Sequence, residues 1–318
     1  MKMLDRRRFL GGGAALLGWE GVRSTSGSVP AVAPGRPALG GREGAQGAPQ
    51  VGSEATGAAR RVVRVGMGQM LVKTGDIDDN VSRARTFIAR ARAEKCDVVV
   101  LPECLDFGWT FPDAARRAFP IPGPVSTTLA EEARLHKVWV VAGLTEREGG
   151  RTYNTSILID DQGRVRLKHH KISELDIAWD IYTRGTELAV ADTPFGRVGI
   201  TICADNSPDS VDLGLALGRM GARLILSPCA WAVEPDHDNE KEPYGRDIWD
   251  AAYRTLGEKR GISVVAVSNV GRLAAGPWKG RLCIGSSLAT GHDGSVLARA
   301  PYGADAETLL AVELPVAV

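Results

Sequence analysis

The feature that most constrains the fold is a repeated alternation of short apolar runs with amphipathic segments beyond residue 61. The run CDVVVLPE (96–103) is apolar almost throughout, which is typical of a strand buried on both faces of a sheet. Before it, Val81, Ala84, Phe87-Ile88 and Ala91 recur at helical spacing, with arginines on the other face. This alternation predicts a layered α/β domain.

The same pattern continues to the end of the chain. Predicted strands lie at 62–69, 97–102 and 138–144, in YNTSILIDDQGRVRLKHHK, around the turn Pro194–Gly196, in ARLILSP, ISVVAVSN, LCIGSSLAT and SVLARA, and near 308–314. Predicted helices lie at 80–94, about 125–136, 209–220 and 246–260. The elements form two similar halves. Helices that cover one face of each sheet leave the other face to pack, and two sheets stacked face to face would satisfy both halves.

Composition and charge limit the class of protein. The 318 residues are 44% apolar and 24% charged, enough for one large domain or two small ones. A net charge of +1 argues against a nucleic-acid-binding protein, which is normally strongly basic. Residues 1–60 hold eight Lys/Arg and four acidic residues, a net +4, so the remaining chain is near −3.

The N-terminus has the plan of an export signal. Three arginines precede Phe9-Leu10 and an apolar run that ends at Trp19, too short to span a bilayer. DRRRFL resembles a twin-arginine signal through Arg6-Arg7, which predicts export through that machinery to the periplasm or the exterior of a bacterium. We interpret residues 1–33 as this signal; the alternative is a basic disordered tail.

Residues 34–60 are rich in Gly, Ala, Pro and Ser, which predicts a disordered linker. The folded domain is therefore expected at 61–318, and no stretch within it is apolar and long enough to predict an integral membrane segment in the mature protein.

The cysteine spacings argue against a zinc site and against a disulfide framework, because no CxxC occurs. The five are Cys96, Cys104, Cys203, Cys229 and Cys283. An odd number leaves at least one thiol free even in an oxidising compartment.

Three predicted strands end in reactive side chains. Glu103 closes CDVVVLPE, Lys171 closes the long hairpin, and Cys203 closes VGITIC. Taken singly they are an ordinary loop acid, a surface charge and a small core residue. Together they are a base for a thiol proton, a nucleophile and a cation for an oxyanion, which are the parts of acyl transfer.

Four segments in this order resemble the nitrilase superfamily of carbon–nitrogen hydrolases. They are DVVVLPE, YNTSILIDDQGRVRLKHHKI, GRVGITICADNSPDS with GARLILSPCAW, and GSSLATGHDGSVLA. The resemblance implies a four-layer αββα sandwich, with Glu103, Lys171 and Cys203 as catalytic residues and the backbone N–H of Ala204 at the oxyanion. It implies no metal and no organic cofactor, and a homodimer or higher homo-oligomer.

Two departures from the family pattern matter. Cys203-Ala-Asp205 stands where true nitrilases tend to have Cys-Trp-Glu, which favours amides over nitriles. The family often has a second glutamate before a glycine. The acid nearest that place before Gly185 is Asp180, with Glu174 and Asp176 as alternatives.

Other candidates have weaker support. Cys229 and Trp231 follow the next strand, where substrate-pocket walls are expected, but either one also suits plain packing. The acidic loop DHDNE (236–240) and the pair His169-His170 lack metal-ligand spacing, and a solvated loop is the favoured interpretation of the first. Cys104 and Cys283 are interpreted as structural.

The leading hypothesis is a thiol hydrolase of a linear amide or an N-carbamoyl compound that releases ammonia or an amine. Nitrile hydrolysis by the same three residues is the alternative. From a different class, an exported binding protein that kept the fold but lost catalysis is also considered. The sequence does not name the small-molecule substrate.

Overall fold

The computed structural model describes residues 60–317, so the predicted export signal (1–33) and nearly all of the predicted linker (34–60) lie outside the described residues. The strands are β1 (Arg60–Gln69), β2 (Val98–Val100), β3 (Trp139–Glu148), β4 (Arg151–Ile159), β5 (Val165–His170), β6 (Val190–Thr193), β7 (Gly196–Ile200), β8 (Leu224–Cys229), β9 (Ala232–Val233), β10 (Ser263–Ser268), β11 (Val270–Arg272), β12 (Leu282–Ile284), β13 (Leu288–Thr290), β14 (Val296–Arg299) and β15 (Thr308–Ala317). The helices are α1 (Ile77–Ala93), α2 (Ala114–Arg117), α3 (Pro124–His136), α4 (Val211–Arg219) and α5 (Ala251–Arg260). Of the helices in this part of the chain, none has the length and apolarity to cross a membrane.

Two six-stranded sheets carry the fold. The first has the order β15-β1-β2-β3-β4-β5 and the second β14-β13-β10-β8-β7-β6, while β11, β12 and β9 form a small third sheet. In the first sheet β1, β2 and β3 run parallel, and in the second β7, β8 and β10 do. The carboxyl ends of parallel strands lie at one edge of each sheet, which is where α/β proteins place their sites.

The central strands of both sheets are buried on both faces. Val98 and Val100 lie in a core that also contains β7, β8 and β10, whereas Val99 points into the core beneath α1 and α3. The second sheet buries its other face under α4 and α5, through Leu217 and Leu256 among others. The layers are therefore helix, sheet, sheet, helix, and the predicted αββα sandwich is confirmed.

Local chemistry moved two predicted helix boundaries. α1 begins at Ile77 rather than 80, because the side chain of Asp76 accepts a hydrogen bond from the backbone N–H of Asp79 and caps the first turn. The helix predicted at 246–260 begins as a wide π-type turn, Arg246–Asp250, in which three backbone N–H groups converge on the carbonyl of Gly245. Of the third sheet, β12 lies within the predicted strand LCIGSSLAT, whereas β9, β11 and α2 were not predicted, because two- to four-residue elements show no periodicity.

Candidate active site

The structure brings the three predicted catalytic side chains to neighbouring strand ends. Glu103 lies three residues beyond β2, Lys171 directly follows β5, and Cys203 lies three residues beyond β7. The backbone N–H of Glu103 donates to the carbonyl of Cys229 at 3.2 Å, which ties the end of a first-sheet strand to the end of β8 in the second. The site therefore lies where the two sheets face each other.

Glu103 and Lys171 form a buried ion pair. Lys171 Nζ donates to Glu103 Oε1 at 2.7 Å, and both side chains are almost completely buried. A second carboxylate, Glu174 Oε2, lies 3.7 Å from the same Nζ. Lys171 Nζ also lies 5.4 Å from the centroid of the Trp109 ring. The ammonium group of Lys171 therefore lies close to two buried carboxyl groups and to the ring of Trp109.

The charges of this cluster depend on one another. Burial alone would lower the pKa of Lys171. The negative charges of Glu103, Glu174 and Cys203 raise it, and the resulting pKa lies well above its usual value. Burial raises the pKa of Glu174 to about 8, against the opposing effect of Lys171. Lys171 is therefore an ammonium ion across the physiological range, and Glu174 is largely neutral at pH 7.

Cys203 differs from the other four cysteines in exposure, and it shares an unusual backbone conformation with Cys104 alone among them. It is half-buried, whereas the other four are buried. Its φ of 44° lies in the left-handed region, which residues other than glycine seldom adopt and which is found at functional sites. Cys203 raises the pKa of Cys229 through a hydrogen bond and that of Lys171 through its charge, so its thiol lies beside Cys229 and within electrostatic range of Lys171.

The turn that carries Cys203 is held by Asp205. One carboxylate oxygen of Asp205 accepts from the backbone N–H of Ile202 at 3.0 Å and contacts His169 Nε2 at 2.8 Å. The other accepts from the backbone N–H groups of Ile172 and Ser173, at 3.1 and 2.7 Å. Asp205 therefore joins the nucleophile turn to the segment that follows Lys171. Ala204, which lies between Cys203 and Asp205 in the sequence, is buried.

The structure separates the three candidates for the second acid by position, and it does not support Asp180. Asp180 is exposed, as is Asp176, whereas Glu174 is buried beside Lys171. The reason is the loop between Lys171 and Gly185, which is closed by a hydrogen bond from Gly185 N–H to the carbonyl of Lys171 at 2.8 Å. The start of such a loop stays at the site, while Asp180 lies far along it.

Cys229 and Trp231, predicted as pocket wall or packing, are both buried beside the site. Burial and a hydrogen bond with Cys203 raise the pKa of Cys229 well above its usual value, so Cys229 is a neutral thiol. Trp231 stacks on Trp249 with ring centroids 5.3 Å apart, in the apolar cluster against which Cys203 packs. Their packing role is thus visible, and contact with substrate stays a prediction.

One group of potential metal ligands occurs among residues 60–317. Glu146, Glu148 and His170 place their ligand atoms within 4.8 Å of one another. Lys168 Nζ donates to both carboxylates, at 2.9 and 2.6 Å, and His170 Nε2 contacts Glu146 at 2.8 Å. The ammonium group of Lys168 therefore already pairs with both carboxylates. His169 instead faces Asp205, so the adjacent histidines belong to separate clusters.

Asn154 is a site residue that the sequence analysis missed. It lies on β4, is fully buried, and donates from Nδ2 to Glu103 Oε1 at 2.7 Å. The available signal was an asparagine within YNTSILI, a strand otherwise suited to burial, because a buried amide requires a hydrogen-bonding partner.

Glu174 makes a prediction about stability and pH. Its native pKa of about 8 lies above the ordinary value of a glutamate, so its contribution to stability is complete at pH 4 and is lost as pH rises to about 8. Glu174→Gln removes this titration. We expect the melting temperature of the variant, relative to wild type, to rise steadily from pH 5 to 8 and then level off.

Thermal melts of both proteins at pH 5, 6, 7, 8 and 9 measure this difference. Asp176→Asn is the matched control, because Asp176 is exposed two residues away, and its curve should run parallel to wild type throughout. Parallel curves for Glu174→Gln as well would contradict the high native pKa.

Known proteins resemble this chain in sequence and in fold. A family model described as carbon-nitrogen hydrolase matches residues 64–318. The omega-amidase NIT2 of Danio rerio is 29% identical over 163 residues, 48% of this chain and 58% of that protein, so the chain spans less than two thirds of this relative.

Two further matches cover more of both chains. The bifunctional nitrilase/nitrile hydratase NIT4B of Nicotiana tabacum is 27% identical over 275 residues, 75% of this chain and 74% of that protein. The crystal structure of a carbon-nitrogen hydrolase from Helicobacter pylori G27 superposes with a TM-score of 0.70 over 80% of this chain and 89% of that chain. At 20% identity, that structural match speaks for the fold.

Proposed function

The chain belongs to the carbon–nitrogen hydrolase family, and on that premise we propose that it hydrolyses a linear amide or N-carbamoyl compound through a thioester on Cys203. The observation that carries this proposal is the buried 2.7 Å pair of Glu103 and Lys171 beside the half-buried thiol. A base, a cation and an accessible nucleophile at one strand-end cluster suit acyl transfer.

In the acylation step, Glu103 takes the proton of the Cys203 thiol and the thiolate attacks the carbonyl carbon of the amide. The oxyanion accepts hydrogen bonds from Lys171 Nζ and from the backbone N–H of Ala204. When the tetrahedral intermediate collapses, the C–N bond breaks, and ammonia or an amine leaves with the proton that Glu103 held. The acyl group remains on Cys203 as a thioester.

In the deacylation step, Glu103 takes a proton from a water molecule as its oxygen attacks the thioester carbonyl. The C–S bond then breaks, the carboxylic acid product leaves, and the proton on Glu103 returns to the Cys203 sulfur. Lys171 holds the oxyanion in both steps, so a permanent positive charge suits its role. Glu174, 3.7 Å from the same Nζ, adds a second acid beside the ammonium group.

Nitrile hydrolysis by the same residues is the second candidate. Similarity to the nitrilase/nitrile hydratase NIT4B over three quarters of the chain favours it. The residue two positions after the nucleophile favours amides instead, because Asp205 stands where true nitrilases tend to have glutamate. An inactive binding protein of the same fold has less support, since the nucleophile, base and cation are all present.

A panel of primary amides, N-carbamoyl amino acids and nitriles distinguishes these proposals, with released ammonia measured for each. We expect turnover of amides or carbamoyl compounds in excess of nitriles. Turnover of nitriles alone would select the second candidate. Binding of panel compounds in calorimetry with no ammonia from any of them would select the binding protein.

We further propose that residues 1–33 direct export through the twin-arginine machinery to the periplasm or exterior, and that the folded chain acts as a homodimer or larger homo-oligomer. The arginine pair Arg6-Arg7 supports the first. Cell fractionation and analytical ultracentrifugation of the full chain are the respective measurements.

A further inference from the structure

The carboxylate of Glu103 has two oxygens with different surroundings. Oε1 accepts a hydrogen bond from Lys171 Nζ at 2.7 Å and another from Asn154 Nδ2 at 2.7 Å. Among residues 60–317, these two side chains are the partners of this carboxylate, and both bind the same oxygen. Oε2 is left on the other side of the group. The two oxygens are thus suited to different tasks.

We propose that Asn154 is a positioning residue that, together with Lys171, fixes Glu103 Oε1 and so reserves Oε2 as the atom that takes the proton of Cys203 and later gives it up. The inference rests on the proposed function, because it assigns an atom to the base named there. Without the second donor, the carboxylate turns about its terminal bond, whose torsional preference is broad and roughly two-fold.

The main chain of Asn154 supports this role. Its carbonyl accepts from the backbone N–H of Lys171 at 2.9 Å, so one residue of β4 contacts the base with its side chain and the cation with its backbone. Asn154 therefore relates the position of Glu103 to that of Lys171. The strand register, which pairs Thr155 with His170, continues into this bond and makes the relation rigid.

The charges of the cluster also explain why residue 154 has an amide side chain rather than a carboxylate. The cluster contains two carboxyl groups, Glu103 and Glu174, and one ammonium, Lys171. An amide donates without adding charge, whereas an aspartate at 154 would add a third acid, and closely spaced carboxyl groups do not ionise together. Asn154 Oδ1 is buried without a hydrogen-bond partner, a cost that is explicable if the donor on the other side is needed.

Two variants test the proposal. Asn154→Ala removes the donor, and Asn154→Asp keeps the shape while replacing the donor with an acid. We expect kcat/KM to fall about 10- to 100-fold in Asn154→Ala, the effect of one hydrogen bond to a charged group. Because the ionised base loses a donor, the acid limb of the kcat/KM profile should move to higher pH, by about one unit, and further in Asn154→Asp.

Asn80→Ala is the matched control. Asn80 is equally buried and donates from Nδ2 to the carbonyls of Lys73 and Asp106, at 2.7 and 3.0 Å, outside the candidate site. This control should lower the melting temperature and leave the pH profile in place. If the Asn154 variants also only lower the melting temperature, with an unmoved acid limb, Asn154 is structural and the inference is overturned.

Failure of the proposed function gives a separate result. If the Cys203→Ala variant keeps wild-type turnover, the thiol route itself is wrong, whatever the Asn154 variants show. If Cys203→Ala is inactive while both Asn154 variants keep the wild-type acid limb, the thioester route is supported. Only the assignment of Glu103 Oε2 as the proton acceptor is then overturned. Should Asn154→Asp fail to fold, Asn154→Ala carries the same test.

Discussion

Replacing Cys203 with alanine is expected to abolish amide hydrolysis, by about four orders of magnitude or more, while the protein stays folded. The loss is large because no second accessible thiol is at hand: the other four cysteines are buried, and burial raises the pKa of each. The fold should survive because the change removes one sulfur atom from a half-buried position, a change of about 1 kcal/mol or less in unfolding free energy.

Released ammonia, the melting temperature and alkylation by iodoacetamide measure these effects together. In the native wild type, mass spectrometry should find one rapidly modified cysteine, in the peptide that contains Cys203, and none in the variant. Cys104→Ala is the matched control, because Cys104 shares the left-handed backbone, with φ 45°, and adjoins Glu103 in sequence. A fully active Cys203→Ala, with an inactive Cys104→Ala, would show that the other thiol is the nucleophile.

Two of the three strand-end residues could be predicted because buried strands impose a strong local pattern. CDVVVLPE has room for a charged side chain only where its apolar run stops, and VGITIC is uncharged up to Cys203. The hairpin that ends at Lys171 differs, because Arg166 and Lys168 lie within β5, so its lysine was identified by the resemblance rather than by an apolar run. The structure shows the physical reason for Glu103. Val98 and Val100 face the other sheet while Val99 faces the helices, so Glu103 is the first charged group beyond a strand with no free face.

The second acid could not be predicted in this way. Counting back from Gly185 was reasonable, since Gly185 does approach the end of β5: a Cβ built on it would lie 2.1 Å from the carbonyl oxygen of His170. However, the loop before it has no periodicity, and its closing hydrogen bond to Lys171 brings together residues at the two ends of the loop. Glu174 lies near one of these ends, and Asp180 does not.

Asn154 was missed, and the hydrogen-bonding role of Asp205 was not predicted, for a related reason. Their importance comes from hydrogen bonds to residues 51 and 36 positions away along the chain, and sequence patterns report only neighbours. Periodicity identifies which residues end a strand, while the partners of a buried polar group depend on which strands become adjacent.

Lys171→Ala and Lys171→Arg are both expected to lower turnover by about 10²- to 10³-fold or more, as loss of an oxyanion donor does elsewhere. Alanine leaves Glu103 and Glu174 buried without their cation, so this variant should also be destabilised, by about 3 to 5 kcal/mol. Arginine keeps the charge, but its planar fork does not match a site built around one compact ammonium group against Trp109.

Lys168→Ala is the matched control for these variants. Lys168 lies three residues earlier and pairs with Glu146 and Glu148 instead, so its loss should leave turnover near the wild-type value. Glu103→Gln completes the set, because it keeps the shape of the side chain and removes the base of both steps.

Steady-state turnover and the mass of any trapped acyl-enzyme separate the roles of the two residues. Glu103→Gln should accumulate no thioester, because the thiol keeps its proton, although substrate still binds. Lys171→Arg should form a thioester slowly, because the nucleophile and base remain and only the oxyanion is poorly held. Near-wild-type turnover in both Lys171 variants would remove the lysine from the mechanism. The buried pair of Glu103 and Lys171 would then be structural, and the base would have to be sought elsewhere.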